Sequence, residues 1–191
     1  NQPTPYFFYG VALTQQKNYQ DAISNLQTGA AFVVDNNPLI TQFYSAMAEA
    51  YNGLKDYTKS DSYFDRALAL DPDNAYILNN YSYFLSLRNE KLELAEKMSA
   101  KTLRSDPSNP NNMDTYGWIL YRQGNFDGAK EWIEKSLAID KENGAVFEHL
   151  GDVYYRLGQT EKALENWKKA KASGGGSPFL DKKINERKLY E

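Results

Sequence analysis

Apolar and polar positions alternate along the chain with a helical period, in short bursts separated by turn residues. Near the end, Phe147, Leu150, Gly151 and Tyr154 fall at i, i+3, i+4 and i+7, the spacing of one helical face. Gly158-Gln159 interrupts the pattern, and Ala163, Trp167 and Ala170 resume it. The stretch before does the same with Met113, Tyr116, Gly117 and Leu120, a break at Gly124-Asn125, then Phe126, Ala129 and Ile133. Each stretch therefore predicts two helices joined by a tight turn.

The pairs recur. Small residues at Gly10, Ala48, Ser82, Gly117 and Gly151 are spaced by 38, 34, 35 and 34 residues. A second series, Ala22, Ser60, Ala95, Ala129 and Ala163, is spaced by 38, 35, 34 and 34. Two registers sharing one period mark an internal repeat. Asp71-Pro72 and Asp106-Pro107 fall at one phase of it, with Asn37-Pro38 near, and each proline disfavours helix at the residue before it. A single helix pair cannot bury its own apolar face, whereas stacked pairs cover one another, which predicts a solenoid. The small residues are then the points where the two helices of a pair approach.

The pattern resembles the tetratricopeptide repeat family. Its aromatic, Leu-Gly, Tyr signature stands at Phe147, Leu150, Gly151 and Tyr154, and its Ala, aromatic, Ala half at Ala163, Trp167 and Ala170. Residues 41–72 match through Tyr44, Tyr51, Tyr57, Phe64, Ala67 and Pro72. The fold implied is all-α, a right-handed α-solenoid of antiparallel helix pairs. The expected organisation is five pairs, about 4–38, 41–72, 75–107, 110–141 and 144–172, then a Gly-rich break at 173–177 and a C-terminal capping helix over 178–190. Ser177-Pro178 reads as that helix's N-cap and first position. The first spacing of 38 predicts an extra turn near Gly29–Val34, in the second helix of the first pair. The extra residue of the third pair is expected in the Arg88–Glu93 connection.

Members of the family bind partners along the first helices of the pairs, at the second, fifth, ninth, twelfth and thirteenth positions, with the sixth near the rim. Of 27 aromatics, thirteen stand at packing positions, among them Tyr9, Tyr51, Phe64, Tyr81, Tyr154 and Trp167. Eight, including Phe8 and Phe43, have no assignment. Phe7, Tyr76, Tyr83, Trp118, Tyr121 and Tyr155 fall on the groove positions the resemblance implies, where a stiffened superhelix is the alternative to partner binding. The same positions carry Glu49, Asn52, Asn79, Asn80, Asp114, Arg122, Glu148, Asp152 and Arg156, besides Gln42, Ser45 and His149. Arg122 and Arg156 suit a carboxylate, or Arg122 pairs internally with Asp152 or Glu148. The family's carboxylate clamp needs lysines that are missing here, and the acids present would repel a terminal carboxylate.

Composition narrows the chemistry. The 191 residues carry 22 basic and 25 acidic side chains, a formal net charge of −3, no Cys and one His. An acidic chain is a poor match for nucleic acid, whose binding rests on phosphate neutralisation. No apolar run approaches the ~20 residues of a membrane-spanning helix. Without Cys, and with His149 alone and no serine elbow beside it, neither a nucleophilic triad nor a metal site is expected. No cofactor is implied, since Gly174–Ser177 lacks the Lys-Ser/Thr of a phosphate loop. Residues 1–80 carry four basic and eight acidic groups; residues 161–191 carry eight and five. The sequence begins at Asn1 with no visible signal peptide, and reads as a mature product or an excised domain.

The expected function is a non-enzymatic scaffold that holds a peptide or partner-protein segment in its groove. Self-association, or service as the non-catalytic arm of a larger protein, are the alternatives. The Tyr- and Asn-rich, Cys-free repeats are similar to those of bacterial envelope-associated members, which favours periplasm or cell envelope over cytoplasm.

Overall fold

The computed structural model describes residues 2–191, and every regular element in them is helical. In chain order these are α1 (Pro3–Gln15), α2 (Tyr19–Ala30), α3 (Asn37–Gly53), α4 (Tyr57–Leu70), α5 (Ala75–Arg88), α6 (Leu92–Ser105), α7 (Pro110–Arg122), α8 (Phe126–Ile139), α9 (Gly144–Arg156), α10 (Thr160–Ala172) and α11 (Leu180–Glu186). The chain divides into two compact units, residues 1–81 and 82–191, the division falling within α5.

Helix starts follow from local chemistry. Asn36, Asn109 and Asn143 cap α3, α7 and α9, each side chain accepting hydrogen bonds from first-turn N–H groups. Asn74 accepts likewise from the Ile77 N–H. The last three are themselves held by an aspartate three residues earlier: Asp71, Asp106 and Asp140 accept from Asn74, Asn109 and Asn143 at 2.9, 3.3 and 3.1 Å. An Asp-x-x-Asn element thus ends one pair and begins the next. Proline is dispensable to it, since Lys141 stands in the third copy.

Within a pair, helices close on small residues. A Cβ added at Gly117 would lie 2.7 Å from Ile133 of α8, and one at Gly151 would lie 2.4 Å from the Trp167 ring of α10. In the first unit Leu26, Phe43, Met47 and Ala50 centre the core. In the second, Ile133, Leu150, Val153, Trp167 and Leu180 do so.

Three sequence expectations change. The extra turn of the first spacing lies in α3, which runs 17 residues, while α2 has 12 and ends at Ala30. Asn36 and Pro38 place the start of α3 a turn early, because capping and a first-turn proline both favour initiation there. Ser177 does not cap α11, which begins at Leu180 with Phe179 as its N-cap residue. Instead the Ser177 N–H and hydroxyl both donate to Glu148 at 2.6 Å. Tyr9, expected to pack, is 58% exposed, while the unassigned Phe43 is fully buried.

Candidate functional site

Groove-position residues of the first unit surround a cavity of about 450 Å³ bounded by α1, α3 and the start of α5. Phe7, Phe8 and Val11 of α1 form one side, Thr41, Gln42, Ser45 and Glu49 of α3 the floor, and Tyr76 and Ile77 of α5 the other side. Tyr76 is 62% exposed and Phe8 65% exposed, so both rings are available to a partner. Phe7 stands behind, edge-on to the buried Phe43 at 5.4 Å.

The Glu49 carboxylate is the ionisable group of this floor. Its Oε1 accepts from the Tyr76 hydroxyl and from Asn80 Nδ2, both at 3.0 Å. Burial raises its pKa above the ordinary carboxylate value, and these neutral donors offset only part of that. The Tyr76 hydroxyl is pushed up to about 12, by burial first and the Glu49 charge second. Asn52 and Asn79 are half-buried and do not line the cavity.

In the second unit the groove positions are turned inward and bonded to the chain itself. Trp118 is 6% exposed and stacks between the Tyr121 ring at 4.6 Å and the His149 ring at 4.2 Å. Both carboxylate oxygens of Asp114 lie 3.0 Å from His149 Nδ1. Burial works against the imidazolium, yet Asp114, with Asp152 and Glu148 behind it, raises His149 above its ordinary pKa. Lys183 of α11, 3% exposed, donates to Glu148 at 2.7 Å and to both oxygens of Asp152 at 2.8 and 2.7 Å. Trp167 Nε1 also donates to Asp152, at 2.8 Å. Burial pushes Asp152 up to about 6 against the pull of Lys183. For Glu148 burial acts upward too, but Lys183 and the two Ser177 donors together hold it below the usual value.

Of the two readings of Arg122, the internal pairing with Asp152 or Glu148 is not the one formed; both acids are taken by Lys183, and Arg122 lies 3.7 Å from Glu191. Arg156 reaches Glu191 at 3.3 Å and donates to the Tyr121 hydroxyl at 3.2 Å, while that hydroxyl donates to Glu191. Tyr155 packs on Trp167 at 5.9 Å between ring centroids. A second cavity of about 450 Å³ remains, with Tyr83, Trp118, Glu148, His149 and Asp152 on one side and Ser177, Pro178, Phe179, Lys183 and Glu191 on the other. The C-terminal segment therefore forms one wall of it. Burial pushes the Tyr83 hydroxyl up to about 12, with Asp114 adding to the effect.

Among the described residues no group of three or more His, Cys, Asp and Glu side chains is arranged to hold a metal ion. No helix of the described residues is long and apolar enough to cross a membrane. Sequence reasoning missed Phe8, whose only signal was its place beside Phe7 in a helix carrying apolar residues all round. It also missed Lys183, a lysine among seven near the C-terminus.

Helix pairs in register, closed on small residues and carrying a polar-aromatic face on their first helices, define a tetratricopeptide repeat protein, and the chain belongs to that family. Tetratricopeptide repeat models match residues 41–74 and 63–97, and the model of the anaphase-promoting complex, cyclosome, subunit 3 matches residues 87–170. The TPR repeat-containing protein PA4667 of Pseudomonas aeruginosa is 30% identical over 148 residues, 77% of this chain and 24% of that protein. The type IV pilus assembly protein PilF of the same organism is 25% identical over 154 residues, 79% of this chain and 59% of PilF. The chain thus spans less than two thirds of either relative. The crystal structure of PilW, a widely conserved type IV pilus biogenesis factor, superposes with a TM-score of 0.81 at 24% identity, covering 98% of this chain and 86% of PilW. Proteins of this family mediate protein–protein interaction.

Proposed function

We propose that the chain is a non-enzymatic docking scaffold of a bacterial cell-envelope assembly, and that it holds a peptide or partner-protein segment on the first helices of its repeats. The observation that carries this reading is the cavity walled by Phe7, Phe8 and Tyr76. Two large rings stand exposed around a preformed opening, and aromatic anchors in pockets dominate the energy of protein interfaces. Helices already packed lose little freedom on binding, so the aromatic contact is retained as affinity. The envelope setting draws on the likeness to PilF and PilW, whose names place those proteins in type IV pilus assembly and biogenesis. The second unit is the weaker candidate for the principal anchor, because Trp118, Tyr121, Glu148 and Asp152 are already engaged by the chain.

The test is capture from envelope extracts of the source cell by the wild-type chain, a Phe8→Ala/Tyr76→Ala variant and a Tyr9→Ala control. Tyr9 is as exposed as Tyr76 but does not line the cavity. Partners should disappear with the double variant and persist with the control. Equal loss in both, or in neither, is incompatible with this groove as the docking site.

A further inference from the structure

Glu49 differs from the other groove acids in what it is paired with. Asp114 faces an imidazole, and Glu148 and Asp152 face an ammonium, whereas Glu49 receives only the Tyr76 hydroxyl and the Asn80 amide, with the Ser45 hydroxyl beside it. Among the described residues no Lys, Arg or His pairs with it. The first unit is acidic as a whole, residues 1–80 carrying four basic against eight acidic side chains. A carboxylate withdrawn from water is strongly favoured by a cation that reaches it, and poorly served by neutral donors.

The second unit shows what this position of the repeat accepts. Glu49 follows the small residue Ala48 as Asp152 follows Gly151, so the two acids are equivalent in the repeat. Asp152 is the acid that takes Lys183, delivered by a segment that is not part of a repeat pair. At Glu49 the place of Lys183 is held by Asn80, 31 residues on in both cases, so the acid meets a neutral donor there, and beside it lies the cavity walled by Tyr76, Phe7 and Phe8. Aromatic faces beside a carboxylate favour the same occupant twice, through ion pairing and through cation–π attraction.

Resting on the groove reading above, we propose that the α1–α3–α5 cavity receives a lysine or arginine side chain of a partner segment, flanked by apolar residues, with Glu49 as its counter-charge and Tyr76 and Phe8 as its walls. The cation would approach the free side of the Glu49 carboxylate, Oε1 being already engaged by Tyr76 and Asn80. The flanking apolar side chains would lie on Phe8, Val11 and Ile77.

Two probe peptides test this on the full chain: acetyl-Leu-Arg-Phe-Leu-amide, and its isostere with citrulline in place of arginine, which keeps the shape and removes the charge. Titration calorimetry gives the affinities and amide NMR shifts give the location. The arginine peptide should shift Phe8, Glu49 and Tyr76, and should bind about tenfold or more tightly than the citrulline peptide, the expected worth of a charged hydrogen bond over a neutral one. Glu49→Gln keeps an acceptor for Tyr76 and Asn80, and should bring the arginine peptide down to the citrulline level without changing the melting temperature by more than a few degrees. Equal affinity of the two peptides with shifts in the cavity overturns the cation assignment and leaves the groove reading standing. Shifts centred on Glu148 and Asp152, or binding by neither peptide, also overturn it, while the Phe8→Ala/Tyr76→Ala capture decides the groove reading separately. A dimer in sedimentation velocity that dissociates on Glu49→Gln would assign the cavity to a second copy, and overturns the choice of a partner segment.

Discussion

Lys183 shows how one side chain can settle the character of a surface. Its ammonium has left water entirely and replaced solvent with three carboxylate oxygens, two on Asp152 and one on Glu148. Such a cluster adds modestly to stability while intact, because desolvation offsets most of the Coulombic gain, but losing one partner strands the rest. Lys183→Met should therefore destabilise the second unit by about 3–5 kcal/mol in urea denaturation, well beyond what a lost exposed ion pair costs. A change of less than about 1 kcal/mol, the range of surface pairs, would mean that the cluster is solvated. Glu49 sits at the equivalent position, where Asn80 stands in the place of Lys183 and leaves the carboxylate without a cation.

At the scale of elements, the helix pair is the unit of packing, and its tightest point is the small residue of the first helix. Gly151 lies against Trp167, whose ring is fully buried and pinned by its hydrogen bond to Asp152. The ring cannot retreat without breaking that bond. Gly151→Ala is expected to cost about 1–3 kcal/mol, the usual penalty of overpacking, read as a lowered denaturation midpoint with unchanged slope. Connections between the two helices of a pair turn through a single left-handed residue, Lys17, Lys55, Gly124 or Gly158. The third connection uses two, Asn89 and Lys91, which accommodates the added residue of that repeat.

For the molecule as a whole, each unit carries its own electrostatic character. The first holds an acid without a cation. The second holds a buried network of Asp114, His149, Glu148, Asp152 and Lys183, and that network makes its stability depend on pH. His149 has a folded-state pKa raised above 6.5, so its contribution is fully present below about pH 6.5 and is lost as pH rises through the raised value. Stacking of the imidazolium on Trp118 works in the same sense. Asp152, pushed up to about 6, also favours the folded state at lower pH, but its window closes below that of His149. Glu148, held below its usual value, acts oppositely and only in acid. Thermal melts should therefore show the wild-type chain losing stability, as pH rises above about 6.5, relative to a His149→Gln variant. Parallel curves for the two proteins would show that His149 is neutral throughout.

Much of the fold was legible in the residues. The period, the two helices per repeat and the close-contact role of Gly117 and Gly151 follow from spacing, because a helix brings i, i+3, i+4 and i+7 to one face whatever surrounds it. The prolines beside Asp71 and Asp106 mark the boundaries between repeats in the sequence, whereas the capping role of Asn74 and Asn109 emerges only from the hydrogen bonds they make. Periodicity could say that Trp118, Tyr121, Glu148 and Asp152 share a face, but not whether that face is covered. Coverage was decided by Lys183 and Glu191, 31 to 70 residues further along the chain from the groups they meet. For the same reason Phe8 carried no signal until α3 and the start of α5 enclosed a cavity beside it. Local patterning determines which residues look in one direction, and only tertiary contact decides what they find there.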